Sequence, residues 1–382
     1  MKVSIISNFH EDAAISRSEM VRKYFDDRGF EYELLYANFS HSLKKYRTLD
    51  QDGVKPIKTP SYSSNISIKR FVSHAIFAFR VFVHLLRRKS DLIYLILPPN
   101  VLSLVIIGML RNSPKLILDV IDLWPEAFPM KNSFLKQIIM FVPSLFSRGI
   151  RKMAIKKSDY CITESNYFFD RLDLKSKVNS SVIHLKKFQN KSLDEVRRSS
   201  EFSIAYLGNI GYIYDFESLF KILIEISKIK ECHLHIIGDG PRKKWFFEKL
   251  GAKNIKYTYH GASFSEDLKY KVLSKCWFGY NGYLDETEVA LSYKSVDYLS
   301  YGVPLLNSAK SDTYDLVNTR EIGFNFSEDN LTILINKLKV IEKLEVDKLK
   351  INSLKTFKEL FSGESLFNNL DAILSKVFQE KH

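Results

Sequence analysis

The sequence predicts an α/β protein built from two doubly wound parallel-sheet domains. Three observations lead there. The chain has 382 residues, more than one ordinary domain and enough for two of about 150–200. Short apolar runs alternate with longer amphipathic segments, the rhythm of strands joined by helical crossovers, which requires a parallel sheet covered on both faces. That rhythm restarts after a charged, serine-bearing stretch at 186–200, where a domain boundary is expected.

The first half opens with a strand at 3–7 and a helix at 18–28, which Gly29 stops. A strand follows at 32–36. Residues 40–65 are polar with scattered Pro and Ser and read as a long loop. Then come a helix at 66–89, a strand at 92–97, a helix at 101–110, a strand at 115–120, a long helix at 134–157, a strand at 160–163 and a helix beginning at 166–172. Residues 92–110 are apolar enough to span a bilayer, but Pro98-Pro99-Asn100 divides them into a strand and a helix. In the second half, the strand at 202–207 ends on Gly208-Asn209-Ile210-Gly211 and a helix follows at 216–229. The strand at 233–237 ends on Gly238-Asp239-Gly240-Pro241, ahead of a helix at 245–250. A strand at 255–259, a helix at 265–274 and a strand at 277–281 lead to the segment 288–304, and residues 331–378 are helical with a break at Ser362-Gly363.

Hydrophobic residues make up 45% of the chain and charged residues 26%, which excludes a disordered polypeptide. Cys161, Cys232 and Cys276 are far apart and odd in number, so a reducing, cytoplasmic compartment is expected and a disulfide framework is not. No secretory signal precedes the first strand. There is no HExxH, no Cys/His pairing, no DxD triplet and no G-x-S-x-G elbow, so neither a metal nor a nucleophilic serine is expected.

Charge is unevenly spread. Residues 1–200 carry 33 Lys/Arg against 19 Asp/Glu, a net of +14, whereas residues 201–382 carry 24 against 25, a net of −1. An anionic surface is therefore the expected partner of the first half. The helix at 66–89 mixes Ile76, Phe77, Phe79, Val81, Phe82, Val83 and Leu85 with Arg70, Arg80, Arg87, Arg88 and Lys89. It reads either as a core helix with a solvated basic face or as an element docking on anionic lipid; the charge favours lipid. Residues 131–157 have the same mixture. No nucleic-acid motif is present, and no nucleic acid is expected as partner.

Four short segments carry chemistry. The Gly208–Gly211 turn, between a strand and a helix, lets backbone N–H groups approach an anion; the plain alternative is a tight turn. Gly238, Asp239, Gly240 and Arg242 have the same placement, with Arg242 able to reach a phosphate. In the third segment Ser292, Tyr293 and Lys294 open a helix that holds Asp297 and ends at Gly302-Val303-Pro304. Lys294 and Asp297 are three apart and share a helical face, as a nucleotide site or as a surface ion pair. The fourth segment, Asp122-Leu123-Trp124-Pro125-Glu126, stands at a strand end, where Asp122 can act as base, hydroxyl anchor or helix cap. His10, Glu11 and Asp12 follow the first strand and are expected at the same edge, since ligands of such sheets bind outside the carboxyl ends of the strands.

Together these residues resemble the GT-B glycosyltransferases, and among them the GT4-type (group 1) retaining enzymes of bacterial capsule, O-antigen and exopolysaccharide synthesis. Asp122–Glu126 is similar to the family's "DLWPE", Tyr206–Gly211 to "YxGNIG", Ile236–Pro241 to "xxGDGP", and Tyr293–Leu299 with Gly302–Pro304 to "xKxxEYLxxGxP". The resemblance runs along nearly the whole chain. It implies a GT-B fold, two Rossmann-like domains facing across a cleft. Residues 1–190 would bind the acceptor and face the membrane, 191–360 would bind the donor, and a helix at 361–382 would cross back to the first domain.

The resemblance also implies roles. Gly208, Asn209, Ile210, Gly211 and Lys294 would bind the donor diphosphate, with Arg242, Ser292 and Tyr293 beside it. Gly238, Asp239 and Gly240 would lie near the base, and Asp297 would hold the ribose hydroxyls. Lys294 is the first catalytic candidate, with Asp122 and His10 from the other domain; Glu11 and Glu126 belong to the acceptor side. No cofactor and no metal are implied beyond a nucleotide-diphosphate sugar, UDP-linked in the first instance. The expected function is transfer of a hexose-type sugar to a lipid-linked saccharide on the inner membrane face. Alternatives are a protein O-glycosyltransferase, a nucleotide-sugar epimerase of the same fold, or an inactive membrane-bound partner. The chain departs from the family twice: Val289 and the preceding Glu288 replace an expected acid at 289, and Tyr212-Ile213-Tyr214-Asp215 replaces the usual Lys-Gly.

Overall fold

The computed structural model describes residues 1–10, 16–64, 67–104, 114–123, 134–177, 179–188, 201–263 and 265–379, with the backbone alone for 134–144. Glu11, Asp12, Trp124, Pro125 and Glu126, singled out above, lie outside the described residues.

The chain divides into two compact units, Met1–His184 with Leu366–His382, and Leu185–Ser365. The first contains β1 (Lys2–Ser7), α1 (Arg17–Asp27), β2 (Glu31–Ala37), β3 (Val54–Ile57), α2 (Ile68–Leu86), β4 (Leu92–Leu97), β5 (Lys115–Val120), α3 (Phe134–Lys157), β6 (Tyr160–Thr163), α4 (Asn166–Arg171) and β7 (Ser180–Val182). All pairings are parallel, in the order β3-β2-β1-β4-β5-β6-β7. The order reverses between β1 and β4, so the ligand crevice of this sheet is at their carboxyl ends.

The central strands are apolar on both faces because helices cover both. Phe77, Ala78, Val81 and Leu85 of α2 and Ala154 and Ile155 of α3 pack into one cluster with Ile93, Leu95, Leu116 and Leu118. Burying each such side chain contributes roughly 1.5–3 kcal/mol. Residues 40–65 are not all loop. They contain β3, an edge strand whose Pro56 interrupts the apolar signal.

The second unit runs β8 (Phe202–Leu207), α5 (Phe216–Ser227), β9 (Cys232–Ile237), α6 (Lys243–Ala252), β10 (Tyr257–Tyr259), α7 (Glu266–Leu273), β11 (Phe278–Asn281), α8 (Tyr293–Ser300), β12 (Leu305–Asn307), α9 (Asp312–Arg320), β13 (Gly323–Asn325), α10 (Leu331–Val340) and α11 (Lys343–Thr356). A π-helical turn, Phe357–Phe361, precedes α12 (Gly363–Gln379). The sheet is again parallel, β10-β9-β8-β11-β12-β13. Its reversal lies between β8 and β11.

The final helix belongs largely to the first unit. Phe367 packs on Tyr24 of α1 with ring centres 5.3 Å apart. Asp371 accepts from the Tyr24 hydroxyl at 2.7 Å and pairs with Arg28 at 2.7 Å. Among the described residues no helix is long and apolar enough to cross a membrane, and the three cysteines are free and buried.

Candidate active site

The carboxyl edge of the second sheet, at its reversal point, gathers most of the predicted donor residues. The turn after β8 and the turn after β9 interlock. Ile210 N–H donates to Asp239 O at 2.8 Å, Arg242 N–H to Ile210 O at 3.0 Å, and Gly208 N–H to Ile237 O at 2.9 Å. The interlock needs glycine. A Cβ on Gly238 would stand 1.9 Å from Gly208 O, and one on Gly240 2.3 Å from the Asn209 side chain. Asp239 is exposed, accepting from Gly240 N–H at 2.8 Å and pairing with Lys243 at 3.3 Å; these contacts hold its carboxyl below the usual range. Pro241 precedes the helix rather than opening it, since Arg242 is the cap residue of α6. The Arg242 guanidinium lies 3.6 Å from the centre of the Trp245 ring and 5.6 Å from that of Tyr212.

Ser292 starts α8. Its Oγ accepts from Ser295 N–H at 3.2 Å and donates to Asn281 Oδ1 at 3.1 Å. Asn281 donates to Asn307 at 2.7 Å, and Asn307 to Asn325 at 2.7 Å. These three asparagines occupy matching register positions at the ends of β11, β12 and β13. They form a polar ladder that ties the start of α8 to the sheet edge. Tyr298 fixes the middle of the helix: its hydroxyl accepts from Leu207 N–H at 2.7 Å and donates to Ala205 O at 3.1 Å.

That anchoring turns Lys294 inward. Its Nζ is buried and has no hydrogen-bond partner among the described residues. It lies 4.0, 4.4 and 5.4 Å from the ring centres of Tyr214, Tyr283 and Tyr206. Burial alone drives its pKa well below the ordinary 10.5. Three electron-rich ring faces offset part of that cost. Tyr214 comes from the segment that departs from the family's Lys-Gly, so the departure supplies one wall of the lysine's cage.

The ion pair between Lys294 and Asp297 that their spacing permits is not formed. Asp297 turns to two other lysines. Lys187 Nζ meets its Oδ1 at 2.6 Å and Lys269 Nζ its Oδ2 at 3.1 Å. Glu266 bonds both lysines, at 2.8 and 3.1 Å, and accepts from the Tyr301 hydroxyl at 2.5 Å. Opposite charges raise the Lys269 pKa against its burial, and the lysines lower that of Glu266. Tyr293 is half exposed and Glu288 is exposed.

In the first unit, His10 is fully buried after β1, with Nδ1 2.8 Å from Ser18 Oγ and its ring edge-on to Tyr36. Asp122 follows β5 and is half-buried; its charge acts on Arg70 and on Glu164. Nothing in the sequence singles out Glu164, which follows β6. Burial pushes its carboxyl up to about 8; Arg17 opposes the rise, and Asp119 and Asp122 add to it. Asp119 is fully buried, 3.0 Å from Arg17 Nε and 2.6 Å from the Tyr94 hydroxyl. Arg70, expected from sequence on the exposed basic face of this helix whether solvated or docked on lipid, is instead buried, because it lies on the inward side of the first turn of α2.

No protein-family model matches the sequence, and no curated protein matches it. Solved structures do. The chain is similar to the lipopolysaccharide outer core galactosyltransferase WaaB, at 15% identity over 98% of this chain and 99% of that one, with a TM-score of 0.67. It is similar to the Anabaena protein HepE solved with UDP-glucose, at 12% identity over 98% and 99%, TM-score 0.63. It is also similar to sucrose-phosphate synthase from Thermosynechococcus elongatus, at 12% identity over 99% of both chains, TM-score 0.67. Two parallel doubly wound sheets in one chain, matched end to end with these enzymes, make this the GT-B fold.

Proposed function

We propose that this protein is a retaining glycosyltransferase. It moves a hexose-type sugar from a UDP-sugar to a saccharide carried on a polyprenyl diphosphate, at the inner face of the membrane. The observation that carries the reading is Lys294. An ammonium buried without a counter-ion among the described residues, at the reversal point of a doubly wound sheet and on the sheet edge that carries the interlocked glycine turns, is matched by a ligand that brings its own negative charge. A nucleoside diphosphate does. HepE, of the same fold, was solved with UDP-glucose bound.

On this reading the bond from the sugar's anomeric carbon to the donor diphosphate breaks. Lys294 and the backbone N–H groups of the glycine turns stabilise the charge that develops on the leaving oxygen. The acceptor oxygen bonds to the anomeric carbon from the same face, and its proton passes to the departing diphosphate. No protein nucleophile takes part. Lys187 and Lys269 pair with the two oxygens of Asp297, and the remaining lone pairs of that carboxylate are available to the ribose hydroxyls. The acceptor class is supported by the outer face of α2, where Ile68, Val72, Phe79 and Leu86 are exposed beside the exposed Arg80, Arg87, Arg88 and Lys89.

Lys294→Ala tests this reading. The variant should fold and lose transfer from UDP-sugars by about 10²–10³-fold or more, and the wild type should keep its activity in EDTA, since Lys294 supplies the positive charge. A variant with unchanged turnover would falsify the proposal.

A further inference from the structure

Four basic side chains converge in the first unit, His41 and Lys44 after β2 and Arg70 and His74 at the start of α2. Arg70 is 7% exposed. Its guanidinium lies 5.7 Å from the centre of the Phe9 ring and 6.0 Å from that of Tyr62. Lys44 Nζ stands 4.9 Å over the Tyr62 ring and 3.5 Å from His41 Nδ1, which meets the Tyr62 hydroxyl at 2.9 Å. His74, one turn beyond Arg70, is buried and edge-on to Phe9 and Tyr62. Tyr62 is thus ringed by two cations, Arg70 and Lys44, and two imidazoles, and Asp122 is the described carboxylate whose charge acts on Arg70.

The geometry points to a second anion site, formed by Arg70, Lys44, His41 and His74, that takes the diphosphate of the acceptor. The identity of the ligand as an acceptor diphosphate rests on the reading above; the site itself does not. The Arg70 and Lys44 charges repel in a partly dry environment, and a bound polyanion offsets that repulsion and favours protonation of the two imidazoles. His41 is pushed down to about 4 and His74 to about 3, by burial first and then by the Arg70 charge. Burial lowers Lys44 and Arg70 as well.

Position supports a lipid-borne ligand. Phe9, after β1, lies at the reversal point of the sheet, where ligands of such folds bind. On the outer side of the same first turns of α2, Ile68 is 82% exposed and Val72 46%. A diphosphate held at Arg70 would deliver its polyprenyl chain to the head of that outer apolar stripe and its saccharide to the sheet edge. Lys294 belongs to the other unit, so the two anion sites can be separated by mutation.

The full chain carrying Lys294→Met is titrated with inorganic pyrophosphate by calorimetry and by histidine NMR across pH. One binding event should remain, with the His41 pKa moving upward on saturation. Arg70→Met and, as the milder change, Lys44→Met should each weaken it about tenfold or more. A parallel arm uses vesicles doped with a polyprenyl diphosphate; retention that depends on Arg70 and Lys44 identifies the lipid as the source, and dependence in the pyrophosphate arm alone supports the site for a free anion. Loss of all pyrophosphate binding in Lys294→Met, or binding indifferent to both Arg70 and Lys44, overturns the inference. Failure of the wild type to bind UDP would count against the glycosyltransferase reading and leave this one standing.

Discussion

Lys294 is held in a place that does not suit an ammonium without a bound anion. Desolvation lowers its pKa in the folded chain below the unfolded value near 10.5, so between those two values the unfolded chain binds more protons and stability rises with pH. Replacing the amine with a methyl thioether of similar length removes the conflict. Lys294→Met is therefore expected to raise the melting temperature at neutral pH, by about 2–4 °C for each kcal/mol relieved in a domain of this size, and to flatten the dependence of stability on pH above neutrality. The same variant should lose UDP binding. Scanning calorimetry at pH 7 and pH 9 checks this; a variant that melts lower than the wild type would show that the tyrosine cage stabilises the ammonium by more than burial costs it. Lys294 itself was legible in the sequence from its place in the first turn of a helix that a Gly-x-Pro stop ends. The cage was not. Tyr206, Tyr214 and Tyr283 come from three separate segments, and nothing in their spacing announces that they meet.

At the scale of elements, strands buried on both faces were legible, and of the four edge strands only β10, within the segment read at 255–259, was. The segments 92–97, 115–120, 160–163 and 202–207 are read from sequence with the bounds found in the structure, because central parallel strands are continuous apolar runs. β3, β7 and β13 sit at sheet edges. They are three or four residues long and mostly half-buried, so their composition need not differ from a loop's. The helix α9 went unread as well: it is polar along most of its length, and of its residues only Asp312, Thr313 and Val317 are buried. The glycine turns were legible as motifs, but their interlocking was not, since it depends on β8 and β9 being neighbours. That contact carries a prediction. Gly238→Ala places a methyl group 1.9 Å from a backbone oxygen, and neither turn can yield without breaking the hydrogen bonds between them. It should destabilise the second unit by about 3 kcal/mol and weaken UDP binding, whereas Gly251→Ala, with open space at its Cβ, should do neither. Urea unfolding followed by Trp245 and Trp277 fluorescence measures the first effect; equal midpoints for the two variants would show that the interlock is not strained.

For the whole molecule, the asymmetry of charge is the property that sequence alone conveyed best. The first 200 residues carry a net +14 and the remainder −1, and the structure adds where apolar surface accompanies that charge. On α2, Ile68, Val72, Phe79 and Leu86 are exposed at intervals that keep them on one side of the helix, with Arg87, Arg88 and Lys89 exposed at its end. Such a face gains from apolar insertion and from attraction to anionic headgroups, about 1 kcal/mol for each basic side chain near the surface. The two contributions separate by experiment. The protein should sediment with vesicles containing anionic lipid and much less with neutral ones. Arg87→Glu with Arg88→Glu should lower the partition coefficient by about tenfold or more at low salt, with the difference shrinking as salt screens the charge. Phe79→Asp should lower it at every salt concentration, because insertion of an aromatic ring is not screened. Neither change touches the second unit, so UDP binding measured in solution should be the same in all three proteins. Equal sedimentation with neutral and anionic vesicles would remove the electrostatic part of the argument, and unchanged partition of Phe79→Asp would remove α2 as the contact.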